Sequence, residues 1–187
     1  MAVKVLDSSG SGSNADIIAG VTWVVNNAAA GSVISMSIGG TRSASLNAAV
    51  NAAYNNGITV IVAAGNENTL ASGDSPASAA GAYTVGAVDK NDTRASFSNY
   101  GNNVNIFAPG VDIVSAWIGT NGNESKSESG TSMATPYVAG LAAYLIAKEK
   151  LTSPADVLSR LTSLATSGTV SSAAGSPNLI ANNGNGL

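Results

Sequence analysis

The sequence predicts a three-layer α/β fold in which a mainly parallel sheet is wound with helices. Two observations carry that expectation. From the N-terminus to residue 63, apolar runs of strand length alternate with runs of helical periodicity, the pattern of parallel strands joined by crossover helices. Within this stretch Thr59-Val60-Ile61-Val62-Ala63 is apolar at successive positions, as befits a strand covered on both faces.

The elements follow in order. Val3 to Leu6 reads as a short buried strand, closed by Asp7-Ser8-Ser9-Gly10-Ser11-Gly12, whose small residues leave the backbone accessible. A helix opens at Asn14, read as its N-cap, and carries Ile17, Ile18, Val21, Val24 and Val25 at helical spacing up to Asn26-Asn27 and Gly31. Val33 to Ile38 is the next strand, ending in Gly39-Gly40. A second helix spans roughly Ser43 to Tyr54 and stops at Asn55-Asn56-Gly57 before the strand at Thr59 to Ala63. Shorter strands are expected near 83–88, 104–107 and 113–117. A long helix starts near Thr131 with Val138, Leu141, Ala142, Leu145 and Ile146 on one stripe, and a last helix covers about Pro154 to Leu164. The tail from Ser167 reads as irregular and polar.

Composition narrows the chemistry. The 187 residues suit one domain, and only 10% of them are charged, against an average of about 25%. Eight Lys plus Arg against 11 Asp plus Glu leave a net charge of -3 with no basic run, so nucleic acid is not an expected partner. No apolar stretch reaches the ~18 residues of a membrane span, and Met1-Ala2-Val3-Lys4 does not open a signal-peptide pattern. The chain has no cysteine, which excludes thiol nucleophiles and thiolate metal sites, and no histidine, which removes the usual general base at neutral pH.

Three segments hold candidate chemistry. Gly10-Ser11-Gly12-Ser13-Asn14-Ala15 fits a G-x-G-x-x-A pattern between a strand and a helix. A dinucleotide site would need an acidic residue about 20 positions on, and none occurs between Asp16 and Glu67, so the segment is read as a loop that needs small residues. Ser129-Gly130-Thr131-Ser132-Met133-Ala134-Thr135-Pro136 places Ser132 at the mouth of the long helix. There the peptide dipoles and unpaired N–H groups favour the negative charge of acyl transfer, although capping is the ordinary task of such a serine. Pro136 is expected in the first turn, where it would cost no hydrogen bond. Ala63-Ala64-Gly65-Asn66 sets a side-chain amide just past an apolar strand, where it could donate to an oxyanion or merely make a turn.

These segments and others resemble the subtilisin-like serine proteases, most closely the proteinase K branch. The blocks VKVLDSSGSG, SMSIGG, VIVAAGNEN, SPASAAGAYTVGAVD, ASFSNYG, IFAPG, SGTSMATPYVAGLAAYL and SPNL stand in family order. The resemblance implies that residues 1–187 are a single partial peptidase domain, with Ser132 as nucleophile and Asn66 as side-chain donor of the oxyanion hole. It implies that Gly10, Ser11 and Gly12 flank an extended substrate on one side and Ser37, Ile38 and Gly39 on the other. Ser37 to Gly39 together with Ala63, Ala64 and Gly65 would wall a small apolar specificity pocket. Protein or peptide substrates and an extracellular location follow from the same resemblance. Asn91-Asp92-Thr93 and Asn123-Glu124-Ser125 fit the glycosylation acceptor pattern.

The departures matter as much. The family's catalytic Asp and His precede the matching blocks, and neither has a counterpart here. The first strands of the sheet are expected to be missing with them. The chain is therefore expected to be inactive alone and to need an N-terminal segment carrying both residues, the alternative being a non-catalytic fragment kept for binding. The resemblance also implies a structural calcium site at the backbone oxygens of Ala80 and Ala82. There Asn105 replaces a carboxylate, which would weaken it. Lys126, Glu67 and Glu128 lie near one half of the site or the other in sequence, but are read as solvated charges rather than as a substitute base.

Overall fold

The computed structural model describes residues 1–120 and 122–185. Its elements in chain order are α1 (Asn14–Asn27), β1 (Val33–Met36), β2 (Gly40–Thr41), α2 (Ala44–Asn55), β3 (Thr59–Ala63), a single 3-10 turn at Ala71–Gly73, β4 (Asp74–Ser75), β5 (Ala82–Val88), β6 (Ile106–Pro109), β7 (Ile113–Ala116), β8 (Ser125–Glu128), α3 (Thr131–Glu149), α4 (Pro154–Leu164), β9 (Thr166–Ser167) and β10 (Leu179–Ile180).

The main sheet runs β1-β3-β5-β6-β10-β9. Its first five strands are parallel and β9 is antiparallel to β10. Strand alternation sorts the core into two layers. In β3, Ile61 faces α3 and α4 together with Tyr83, Val85, Ile106 and Ala108, whereas Val60 and Val62 face α1 and α2 with Leu46 and Val50. Every residue of β3 is buried, which is why its sequence shows no polar face. The helix α3 lies against β1, β3, β5 and β6 and buries Ala134, Val138, Ala142 and Leu145. Its small residues let the helix sit close to the sheet centre.

Several expectations are corrected. Val3 to Leu6 is not a strand, because a ladder needs a neighbour and no pairing involves this segment. It instead lies over α1, close enough that a Cβ on Gly20 would meet the Val5 side chain at 2.4 Å. Ser13, not Asn14, caps α1 by accepting the N–H of Asp16. The polar tail supplies two strands, β9 and β10, the latter pairing with Phe107; at two residues each they are too short to show a period. The hairpin β7–β8 escaped notice because its second strand, Ser125-Lys126-Ser127-Glu128, has no apolar residue.

The outer edge of β1 borders a groove of about 960 Å³. One wall is the extended segment with Val3 and Val5, the other is β1 with Ile34, and Val24 of α1 and Ile146 of α3 also line it. An open strand edge beside apolar walls is a place where backbone donors and acceptors await a partner.

Packing is close where β5 pairs with β6. A Cβ on Gly86 would fall 2.5 Å from the Phe107 ring and 3.3 Å from Val104. Gly86→Ala is expected to overpack this fully buried site by about 1–3 kcal/mol, seen as a lower urea midpoint at unchanged m-value.

Candidate active site

The first turn of α3 organises the site. Gly130 is its N-cap and makes no side-chain capping bond, so Ser132 is the second helical residue and not a cap. Half-buried at the helix mouth, Ser132 sits where the first N–H groups have no intrahelical partner and the helix dipole is positive. Its Oγ donates a long hydrogen bond to the Ser37 carbonyl at 3.4 Å. Pro136 corrects the expectation of a first-turn proline, because it is the sixth residue of the helix. A proline there leaves the carbonyl four residues back, that of Ser132, without its helical donor. The Ser37 hydroxyl takes that place, donating to the Ser132 carbonyl at 2.9 Å. The exchange ties the residue after β1 to the Ser132 peptide.

Asn66 reaches the same place from the loop after β3. Gly65 has φ 105°, and a Cβ on it would meet the Asn99 amide at 2.2 Å, so both conformation and space demand glycine. The Asn66 Oδ1 accepts the Thr131 N–H at 2.8 Å and the Thr131 hydroxyl at 3.0 Å. The same hydroxyl accepts the Gly65 N–H at 3.2 Å. With its oxygen held by Thr131, the carboxamide turns its Nδ2 toward Gly130. A Cβ built on Gly130 would lie 3.6 Å from the Ser132 nitrogen and 3.7 Å from Asn66 Nδ2. Two nitrogens from segments 66 residues apart in sequence thus border one small space at Gly130, with the Met133 sulfur on a further side at 3.6 Å. Two such donors can stabilise an oxygen that becomes negative during reaction.

Around this centre, Ala63 and Ala64 are buried and Gly39 is open. Ser37 and Gly39 are exposed and Ile38 is half-buried, forming the lip next to Ser132. Gly10, Ser11 and Gly12 are exposed in a separate loop folded on Asp7. The Asp7 carboxylate accepts the N–H groups of Ser9 and Ser11 and the Ser9 hydroxyl, which holds its pKa below the ordinary aspartate value. The Ser11 carbonyl accepts the Asp7 N–H. Ser11 therefore spends both backbone groups inward and Gly10 gives its N–H to the Asp7 carbonyl, which leaves an added strand to meet the Gly10 carbonyl and the backbone of Gly12.

The remaining candidates lie apart from Ser132. Lys126 pairs with Glu128 and sits over the Trp117 ring on the β7–β8 hairpin. Glu67 accepts the Asn66 N–H and the Asn99 amide. No side-chain base is hydrogen-bonded to the Ser132 hydroxyl among the described residues. For calcium, the donor set fits poorly. Asn105 Oδ1 already accepts the Thr84 N–H at 2.7 Å, and no cluster of three or more Asp, Glu, His or Cys able to hold a metal occurs among the described residues. With backbone oxygens and one neutral amide the site lacks the carboxylate that tight calcium binding requires, and no step of the chemistry is routed through it.

A serine at a helix mouth beside a carboxamide, both at the carboxyl ends of parallel strands, is set in an α/β fold of the subtilisin-like class. The chain belongs to the subtilase family, whose model, Peptidase S8, matches residues 1–186. It is 59% identical over 187 residues to subtilisin-like protease 2 of Pseudogymnoascus destructans and 54% identical to a cuticle-degrading serine protease of Arthrobotrys oligospora. These matches cover 100% and 98% of this chain but 46% of each relative, so the chain spans about half of their length. The crystal structure of a cold-adapted subtilisin-like serine proteinase superposes with a TM-score of 0.89 at 44% identity, covering 95% of this chain and 64% of that one.

Two residues escaped the sequence reading. Thr131 is fully buried and joins both halves of the site, and Asn99, also fully buried, lies beneath the Asn66 loop. Thr131 adjoins the candidate serine, and that adjacency is the signal for it; Asn99 offers none, because its backbone and carboxylate partners are brought near only by folding. Thr131→Val keeps the shape but leaves the part-buried Gly65 N–H without its acceptor and removes one of the two donors to Asn66 Oδ1. A loss of about 1–3 kcal/mol is expected, measurable by thermal or urea unfolding, whereas Thr131→Ser should lose far less.

Proposed function

We propose that this chain carries the nucleophilic half of a subtilisin-like serine endopeptidase. Ser132 Oγ attacks the carbonyl carbon of a peptide bond, forming an ester. The Ser132 N–H and Asn66 Nδ2 receive the oxygen that becomes negative, the leaving amine departs with a proton, and water then hydrolyses the ester. The observation that carries this reading is the shared space above Gly130, bordered by both nitrogens. The extended substrate lies between the lip at Ser37 to Gly39 and the Gly10 to Gly12 loop. The small residues Ala63 to Gly65 favour apolar side chains over charged ones in the adjoining pocket.

The proton on Ser132 needs an acceptor, and the chain has no histidine. We assign that role to an N-terminal segment bearing His and Asp. The relatives' greater length and the groove at the open edge of β1, about 960 Å³ in volume, support this reading. Alone, the chain should turn over substrate extremely slowly, since loss of the histidine costs on the order of 10⁶ in kcat, a magnitude measured on a member of this family and carried over. An extracellular site of action is part of the same proposal. The two acceptor asparagines, Asn91 and Asn123, are at exposed positions compatible with it.

The test uses a chromogenic peptide ending in a hydrophobic residue. The chain alone should be nearly inert, and the chain joined to the N-terminal part of the 59%-identical relative should be active and silenced by Ser132→Ala. Robust turnover by the chain alone, or an active Ser132→Ala variant, would refute the assignment. In the joined protein, Gly130→Ala should place a methyl group between the two donors without a steric clash. Its kcat is expected to fall by roughly 10²-fold, comparable to deleting one oxyanion donor, with little change in the unfolding midpoint.

A further inference from the structure

We propose that Asn99 is a positioning residue for the oxyanion donor Asn66, an inference that rests on the peptidase reading above. Asn99 belongs to none of the segments that touch Ser132. It is nonetheless fully buried, and its carboxamide serves the loop from Ala64 to Thr69 at several points. Its Oδ1 accepts the N–H groups of Glu67 and Thr69, each at 3.0 Å, and the Thr69 hydroxyl at 3.4 Å. Its Nδ2, with two hydrogens shared among three acceptors, lies 3.0 Å from the Ala64 carbonyl, 2.9 Å from Glu67 Oε2 and 2.7 Å from Asp74 Oδ2. Its backbone N–H donates to the Gly65 carbonyl at 3.0 Å. One residue thus fixes the chain on both sides of Asn66.

The connection to Asn66 itself runs through Glu67. The Glu67 carboxylate held by Asn99 accepts the Asn66 N–H at 2.8 Å. Thr131 holds the Asn66 side chain from the helix side, and Asn99 with Glu67 holds its backbone from below. The rigid pair of supports sets where Nδ2 points, and a donor displaced by about 1 Å loses much of its effect.

The chemistry at position 99 calls for a neutral amide. Two backbone N–H groups need an acceptor while a carbonyl and two carboxylates need a donor, and a carboxamide is the compact side chain that offers both. Asp74 already sits with its pKa raised, first by burial and then by the negative charge of Glu67. A third carboxylate at position 99 would add repulsion to this pair. The nearby cation, Arg94, is directed at the Asn68 side chain and the Ser98 carbonyl rather than at either carboxylate.

The experiment is a double-mutant cycle in the joined, active protein, with peptide hydrolysis followed well below the unfolding temperature of each variant. Asn66→Ala should lower kcat by roughly 10²- to 10³-fold. Asn99→Ala should lower kcat about 10-fold or more with little change in KM, as expected for an interaction expressed in the transition state. The double variant should be no slower than Asn66→Ala alone, because a residue that acts through Asn66 has nothing left to position. Asn99→Asp should be slow at neutral and alkaline pH, its rate relative to the parent rising as the pH falls and the added carboxyl takes up a proton. Asn99→Ser takes the place of Asn99→Ala in the cycle should the latter not fold. An active parent whose two losses multiply in the double variant, or an Asn99→Ala variant with unchanged kcat, overturns the inference alone. A joined parent without activity overturns the peptidase reading and this inference with it.

Discussion

The pair of hydrogen bonds from Thr131 to the Asn66 carboxamide is the joint on which the candidate site depends. It connects the loop after the central strand β3 to the first turn of α3, two segments that the chain separates by more than sixty residues. Because both donors come from one residue at a helix N-terminus, they choose which end of the amide faces inward. The oxygen is captured and the nitrogen is turned toward the space beside Ser132. The buried Thr131 hydroxyl and the Asn66 carboxamide oxygen satisfy one another, while Asn66 itself stays open to solvent.

The surrounding fold makes that joint possible. Parallel strands deliver their carboxyl ends to one rim of the sheet, and small residues occur at each of those ends: Gly39, Gly65 and Gly110. Gly110 accepts the Gly130 N–H at its carbonyl, which anchors the turn leading into α3. Pro136 contributes by what it lacks. Its missing N–H leaves the Ser132 carbonyl for Ser37, so the residue bearing the hydroxyl is tied to the lip over which a substrate would pass. The position of Ser132 is thereby determined from β1, from β3 and from its own helix.

The open edge of β1 gives the molecule an asymmetry. On the β6 side the sheet is closed by β10 and the antiparallel β9, short strands that blunt the edge. On the β1 side an apolar groove separates the sheet from the extended segment at residues 3–6. The helices α1 and α3 both reach that groove, so a strand placed there would be covered on both faces.

Local sequence determined the alternation of strands and helices, the burial of β3 on both faces, the start of α3 near Ser132 and the limits of α4, because hydrophobic period and capping residues act within a few positions. The blocks around Asn66 and Ser132 were legible for the same reason. The tertiary structure alone decided that Val3 to Leu6 would not be a strand, since pairing depends on a neighbour. It alone recruited residues 166–167 and 179–180 into the sheet, where two-residue strands draw their stability from β6 and each other. And it decided the duties of Thr131, Pro136 and Asn99, whose partners are backbone and side-chain groups from distant segments and which carry no pattern until the chain has folded.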